Sequence, residues 1–183
     1  NMSAKIGIWE IIKGNFNTLY NPVTQKTSKF DVLTFYIAPI LFAILCFKYN
    51  YVLYEKLIGH LINASALLSG LLLNLIILVF GLKDKIRPVE ITHNEYQLVT
   101  LKRRVMKELY YNVCSASVTA FVLLISCIAN SVLDGVIINV FKLFDLNLNL
   151  HVVNPVIVFL CIHLFVSFLM IIKRTYRLLL VIQ

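Results

Sequence analysis

Long apolar runs recur along this 183-residue chain, and three of them continue for more than twenty residues without Asp, Glu, Lys or Arg. A helix of about twenty apolar residues crosses the roughly 30 Å hydrocarbon core of a bilayer. Inside lipid every backbone N–H and C=O must bond within the protein, which favours helices. We therefore predict an all-α integral membrane protein with four transmembrane helices. The predicted spans cover residues 31–51, 57–82, 110–132 and 155–172.

Composition supports lipid as the solvent of these runs. Hydrophobic residues make up 60% of the chain and charged residues 14%, against about 45–50% and 25% in typical soluble domains. A soluble domain of this size has too much surface per volume to hide such an apolar excess. Composition therefore argues against an ordinary soluble domain.

Residues 1–30 are predicted to form a cytoplasmic amphipathic helix and a linker. On a helical wheel of residues 6–20 the apolar side chains lie on one side and the polar side chains on the other. Asn15 is the exception, because it is polar but lies on the apolar side. One interpretation is a helix lying in the membrane surface, anchored by Trp9, Phe16 and Tyr20. The alternative is a soluble helix packed on another part of the protein. The segment lacks the apolar core of a cleaved signal peptide, so the first span is expected to act as the insertion signal.

The remainder, residues 31–183, is predicted to be one transmembrane domain with a cytoplasmic loop at 83–109. Helical spacing of apolar residues after His93 predicts a helix that continues without a break into the third span. Pro39 lies inside the first span and has no N–H to bond the backbone carbonyl one turn earlier. A proline is tolerated there if a neighbouring group bonds that carbonyl instead. Residues 136–144 suit a short interfacial helix, and residues 145–152 alternate polar and apolar as in an extended segment.

Basic residues are distributed unequally between the two predicted sides of the membrane. Of the 17 Lys and Arg, fourteen lie in residues 1–30, residues 83–108 or the C-terminal segment that follows residue 172. Because cytoplasmic loops carry the excess of basic residues, both termini and the central loop are predicted to be cytoplasmic. An even number of spans agrees with this topology.

Uncharged polar residues are frequent in the second and third spans. Small and polar residues let membrane helices approach closely and bond across the contact. They could hold the helices of one monomer together, or line a polar seam or pore in a homo-oligomer. The candidate seam residues are Ser65, Ser69, Asn74, Ser115, Thr119 and Ser126. His163 is the one ionisable residue well inside a span, either as a neutral structural histidine or as a proton- or ligand-sensing group.

A cluster of basic residues, formed by Lys102, Arg103, Arg104 and Lys107, precedes the third span. Lipid phosphate is the nearest partner for these charges, and a cytoplasmic protein is the alternative. We do not expect direct binding to nucleic acid.

Catalytic motifs are missing from the sequence. It contains no nucleophile elbow, P-loop or paired-histidine metalloprotease motif. Arg87 and His93 match the loose spacing of HEPN ribonucleases, but Pro88 interrupts the pair. The four cysteines lie in or beside apolar runs without metal-ligand spacing and are expected to be small buried hydrophobes. We expect no enzyme activity, catalytic residue, metal site or cofactor.

Four stretches give the chain a recognisable layout: IWEIIKGNFNTLYNP, DVLTFYIAP, LLSGLLLNLIILVFGLKDK and LKRRVMKELYYNV. This layout resembles that of small four-helix membrane proteins of bacterial anti-phage defence operons. Examples are accessory proteins of type VI CRISPR loci, membrane effectors of retrons, and the membrane subunit of the Kiwa system. The resemblance implies a location in the bacterial inner membrane.

The resemblance implies one of two functions. An effector would assemble and permeabilise the inner membrane when infection is sensed, so that the host cell dies before phage matures. A sensor or anchor would hold a cytoplasmic defence partner from the same operon at the membrane. A small channel or transporter unconnected with defence is the third hypothesis.

Overall fold

The fold is predominantly helical. The computed structural model describes residues 8–18, 20–21, 26–27, 33–85, 93–133, 137–140, 144–147 and 149–182. Its α-helices are α1 (Ile8–Thr18), α2 (Ala38–Lys48), α3 (Glu55–Lys85), α4 (His93–Val132) and α5 (Asn154–Ile182). Short π-helices precede α2 at Leu33–Ile37 and α5 at Asn149–Val153. Among the described residues, strands β1 (Tyr20–Asn21) and β2 (Lys26–Thr27) form one antiparallel pair, and β3 (Ile137–Val140) and β4 (Phe144–Asn147) form another.

Three helical stretches are long and apolar enough to cross a membrane. They cover Glu55–Gly81, Val99–Val132 and Leu150–Tyr176, and an 18-residue window in each has a mean hydropathy of 2.2, 2.0 and 2.7. They contain the predicted spans 110–132 and 155–172 and all but the last residue of 57–82, which confirms those three as candidate spans. α4 begins at His93 and runs unbroken for 40 residues, about 60 Å at 1.5 Å per residue.

The predicted first span has a different form. Its described helical part, Leu33–Lys48, would reach only about 24 Å. A Schellman motif ends α2, because Asn50 adopts a left-handed conformation with φ of 49°. The Asn50 N–H bonds the Phe47 carbonyl, and the Tyr51 N–H bonds the Cys46 carbonyl. These bonds satisfy carbonyls that the end of the helix leaves open.

The described residues 137–140 and 144 lie in strands, so the interpretation of 136–144 as a short helix is wrong for them. Ile137 pairs with Asn147 and Val140 with Phe144 in an antiparallel hairpin. The interpretation of residues 145–152 as extended is correct for the part in β4, whereas Asn149–Val153 is helical. β-branched Ile and Val favour a strand here, and they outweigh a weak helical pattern.

The chain divides into two compact units. The first unit contains residues 1–28, 71–117 and 167–183. The second unit contains residues 29–70 and 118–166. Each of the three long helices contributes residues to both units. Several α4 side chains are fully buried, among them Val113 in the first unit and Ala120 and Cys127 in the second.

Candidate functional site

The most polar helix face in the described structure belongs to α4. Six polar residues recur on it at spacings of four, three, four, seven and four residues. We call this set the polar face of α4: Glu108, Asn112, Ser115, Thr119, Ser126 and Asn130. At 3.6 residues per turn the six lie within an arc of about 60° and extend over about 33 Å, the thickness of a hydrocarbon core. Four of them are buried, while Glu108 and Ser126 are half-buried.

A buried arginine of α5 reaches the beginning of this face, within the first unit. Arg174 is 6% exposed, and its guanidinium donates to the Glu108 carbonyl at 3.0 Å. A second guanidinium nitrogen lies 4.0 Å from the Glu108 carboxylate, and Arg104 lies 3.2 Å from the other carboxylate oxygen. Removing one partner of a buried ion pair leaves an uncompensated charge. The Glu108 carboxylate and backbone carbonyl therefore both stabilise the buried Arg174.

The N-terminal helix contacts the same face two turns further on, at Ser115. The Asn15 amide donates to the Ser115 hydroxyl at 3.0 Å, and Asn15 is 8% exposed. Gly14 lies against the ring of Tyr111, since an added Cβ would be 2.5 Å from a ring carbon. The apolar side of α1 points elsewhere, because Phe16 is 48% exposed. Asn15, the exception on the helical wheel, is thus the residue through which α1 bonds α4.

An asparagine clamp holds the end of the polar face in the second unit. The Asn130 amide donates to the Asn154 side-chain oxygen at 2.7 Å. Asn154, only 4% exposed, donates in turn to the Tyr51 carbonyl at 3.1 Å. This chain of amides joins α4, the beginning of α5 and the segment that follows α2. Both bonds lie among apolar residues, where an unsatisfied amide is costly.

His163 of α5 has a structural partner in the second unit. Its Nδ1 atom lies 3.1 Å from the Phe35 carbonyl. In an α-helix the residue-39 N–H would bond that carbonyl, but Pro39 has no N–H. With the proton on Nδ1, His163 donates to the carbonyl that proline leaves open. The ring also stacks on Phe159, with ring centroids 5.9 Å apart. This bond gives His163 a structural partner, as one of its two interpretations expects. The proton- or ligand-sensing interpretation stays a prediction.

The predicted seam residues of α3 separate into two positions. Ser65 and Ser69 are buried, and each donates to a carbonyl of its own helix, Ile62 and Ser65 respectively. They belong to a buried inner row of α3 that also contains Ile58, Leu72 and Val79. Asn74 is exposed on the opposite side of α3.

The seam residues of α4 all lie on its polar face. Ser115 accepts from Asn15, Thr119 is buried, and Ser126 donates to the Val122 carbonyl of its own helix at 2.8 Å. Sequence reasoning missed Glu108 as a member of this face, and it missed the partners Asn15, Asn154 and Arg174. The regular spacing of Asn112 and Asn130 with the three predicted residues is the signal that could have found the whole face.

The other predicted residues occupy surface positions or lie outside the described set. Arg103, Arg104 and Lys107 are exposed and Lys102 is half-buried. The side chains of Trp9, Tyr20 and His93 lie outside the described side chains, and Arg87 lies outside the described residues. The four cysteines, in contrast, are not at the surface: Cys46, Cys114 and Cys127 are buried, and Cys161 is half-buried. Within the described ranges no group of three or more His, Cys, Asp or Glu could hold a metal ion.

Two further serines supply a contrast within the first unit. The Ser117 and Ser167 hydroxyls are buried without a hydrogen-bond partner among the described residues. Ser117 lies on the side of α4 opposite its polar face. It is therefore a matched control for Ser115, being the same residue type two positions away on the same helix.

Comparisons with protein-family models, with curated proteins and with solved structures return no match.

Proposed function

We propose that this protein is a bacterial inner-membrane component of an anti-phage defence system, acting as an oligomeric, pore-like effector. The observation that carries the proposal is the polar face of α4, which extends over the length of a candidate membrane span. A helix that only had to sit in lipid would gain nothing from six polar residues in one line. Polar residues in membrane helices mark functional paths or helix contacts.

In the proposed resting state the polar face is occupied by partners from the same chain. Asn15 bonds Ser115, Asn154 bonds Asn130, and Arg174 bonds Glu108. Each such bond contributes only about 0.5–1.5 kcal/mol net, or somewhat more for charged groups. Infection would shift the balance toward an assembled state in which water replaces these partners along α4. Ions would then cross, and the membrane potential would fall.

The proposal includes a topology. Helix Leu33–Lys48, extended by neighbouring residues, is the fourth span, and both termini lie in the cytoplasm as the basic residues indicate. α1 lies at the cytoplasmic interface with Phe16 toward lipid and Asn15 toward α4. Arg103 and Lys107 face the anionic phosphates of that leaflet.

The alternative proposal, a sensor or anchor, rests on a separate observation. α4 begins at His93, six residues before the apolar stretch, and carries exposed Arg103, Arg104 and Lys107. A cytoplasmic defence protein of acidic surface could dock there. Charge reversal at Arg103 and Lys107 should then abolish its co-purification, whereas an effector needs no such partner to depolarise the cell.

The deciding experiment follows membrane potential with a voltage-sensitive dye in bacteria that express the chain with its neighbouring genes. We expect the potential to hold before phage challenge and to fall afterwards. The variant with Thr119→Val and Asn130→Leu should not depolarise although it still inserts in the membrane. Ser117→Ala, which leaves the polar face intact, should behave as wild type.

Two outcomes would overturn the effector. One is a potential that never falls under phage challenge. The other is conduction that proceeds without any challenge in purified vesicles, which would favour a plain channel or transporter.

A further inference from the structure

α3 carries two rows of residues on opposite sides. Its inner row is buried at Ile58, Ser65, Ser69, Leu72 and Val79. The opposite row alternates spacings of four and three residues, and every member is exposed. We call this row the outer seam: Asn63, Leu67, Gly70, Asn74, Ile77 and Gly81. Because α3 is one unbroken helix, helix geometry alone fixes the alignment of the seam.

The asparagines of the outer seam are the unusual feature. Asn63 and Asn74 lie inside the stretch Glu55–Gly81, which is apolar enough to span a membrane. Neither side chain has a hydrogen-bond partner among the described residues. Lipid tails cannot supply a partner, and an amide left unsatisfied in hydrocarbon costs several kcal/mol. A second protein surface is therefore the expected source of hydrogen-bond partners for these two amides.

The space between the asparagines suits a close helix contact. Gly70 lies between them, and a Cβ built there would meet nothing within 4 Å. Gly81, further along the seam, is equally open. Glycine lets two helix backbones approach closely, and polar amides then bond across the contact. The 3–4 spacing is the pattern by which two helices interlock along a seam.

We infer that the outer seam of α3 is the surface on which a second copy of this chain docks. The inference rests on the proposed function in that α3 must cross a membrane. Two copies insert in the same orientation, so each asparagine lies at the same depth as its counterpart. An amide is both donor and acceptor, which makes Asn63 and Asn74 self-complementary across a two-fold axis. A different partner would need polar groups at both of these depths, about 16 Å apart.

Disulfide cross-linking in native membranes tests the surface directly. Gly70→Cys should give a covalent dimer under mild oxidation, because a disulfide needs Cα atoms within about 7 Å. Ala64→Cys is the matched control, since it is also a small exposed residue of α3 but points about 120° away. Wild type gives the baseline for the four native cysteines. No dimer from Gly70→Cys above that baseline, or equal dimer from Ala64→Cys, would overturn the inference.

A second set of variants removes the amides without adding a thiol. The double variant Asn63→Leu and Asn74→Leu should lose at least tenfold in association, measured by single-molecule photobleaching in lipid vesicles. Asn63→Gln with Asn74→Gln should restore most of it, because glutamine keeps the amide. Retained association in the leucine variant would contradict the inference.

These readouts need neither phage nor depolarisation, so they separate the inference from the proposed function. Cross-linking without depolarisation would leave the surface standing and remove the effector. Depolarisation without cross-linking at Gly70 would overturn the docking surface and leave the effector proposal standing.

Discussion

α3 and α4 both carry polar residues inside an apolar stretch but use them in opposite ways. In an 18-residue apolar window of α4, 44% of the residues are buried, against 22% in the corresponding window of α3. α4 bonds its polar face to Asn15, Asn154 and Arg174 of the same chain. α3 leaves Asn63 and Asn74 exposed. A polar residue in a membrane helix can therefore have one of two roles. It stabilises the fold when its helix face contacts the same chain, and it is available for assembly when that face is exposed.

This comparison separates two kinds of effect. Substitutions on the polar face of α4 should lower the free energy of unfolding. Substitutions on the outer seam of α3 should change association and leave that free energy nearly unchanged. The predictions below run from the largest expected change in stability to the smallest.

Glu108→Ala should cause the largest loss of stability. It removes the carboxylate that lies 4.0 Å from the buried Arg174 and leaves the backbone carbonyl that Arg174 also bonds. Because the Glu108 side chain is 29% exposed, we expect a loss of about 2–3 kcal/mol, between the values for exposed and buried ion pairs. Unfolding by denaturing detergent in mixed micelles measures the change. Arg104→Ala is the control, because its pair with Glu108 is solvent-exposed and contributes below about 1 kcal/mol. Equal effects of the two variants would contradict the structural role of Arg174.

Asn154→Ala should cost about 2 kcal/mol, since it breaks the bonds to Asn130 and to the Tyr51 carbonyl together. Asn130→Ala breaks only one of them and should cost less. In a double-mutant cycle the two substitutions should couple by about 1 kcal/mol. Strict additivity would show that the amide clamp does not form in the membrane.

His163→Phe should cost about 1–2 kcal/mol by removing the donor to the Phe35 carbonyl. His163→Gln, which keeps a donor, should cost less. The same phenylalanine substitution should be milder when Pro39 is alanine, because residue 39 then has an N–H for that carbonyl. Thermal unfolding of the four combinations measures the coupling. A loss of stability that is unchanged by Pro39→Ala would argue against this explanation of His163.

Ser115→Ala should cost about 1 kcal/mol, because it leaves the buried Asn15 amide without its acceptor. Ser117→Ala should be neutral or slightly stabilising, because that hydroxyl is already unpaired. Protection of α1 from protease should fall in the first variant alone. If both variants behaved alike, α1 would not be held by Asn15.

The smallest change in stability should come from the outer seam. The pair Asn63→Leu and Asn74→Leu should stay within about 0.5 kcal/mol of wild type in monomer-forming detergent, while losing association in vesicles. A large loss of monomer stability would mean that these asparagines hold the fold, and the contrast between α3 and α4 would disappear.

The sequence predicts the helices more readily than the contacts between them. The apolar runs predict α3, α4 and the span in α5 because length and hydropathy act locally. The hairpin at 137–147 was missed because strand pairing depends on residues apart in sequence. Ser115, Thr119 and Ser126 were predicted, since their residue types are visible. The partners of the polar face were not predicted, because Asn15 lies 100 residues from Ser115 in the chain and Arg174 lies 66 residues from Glu108.

Accessibility of the polar face to water tests the central claim most directly. In a Thr119→Cys variant the new thiol lies in the middle of the α4 span, where Thr119 is buried. A membrane-impermeant thiol reagent should leave it unlabelled in resting cells and label it once phage infection depolarises them, while the buried native Cys127 stays unlabelled. Depolarisation that leaves the residue-119 thiol unlabelled would contradict the account, because ions would then cross without wetting this face.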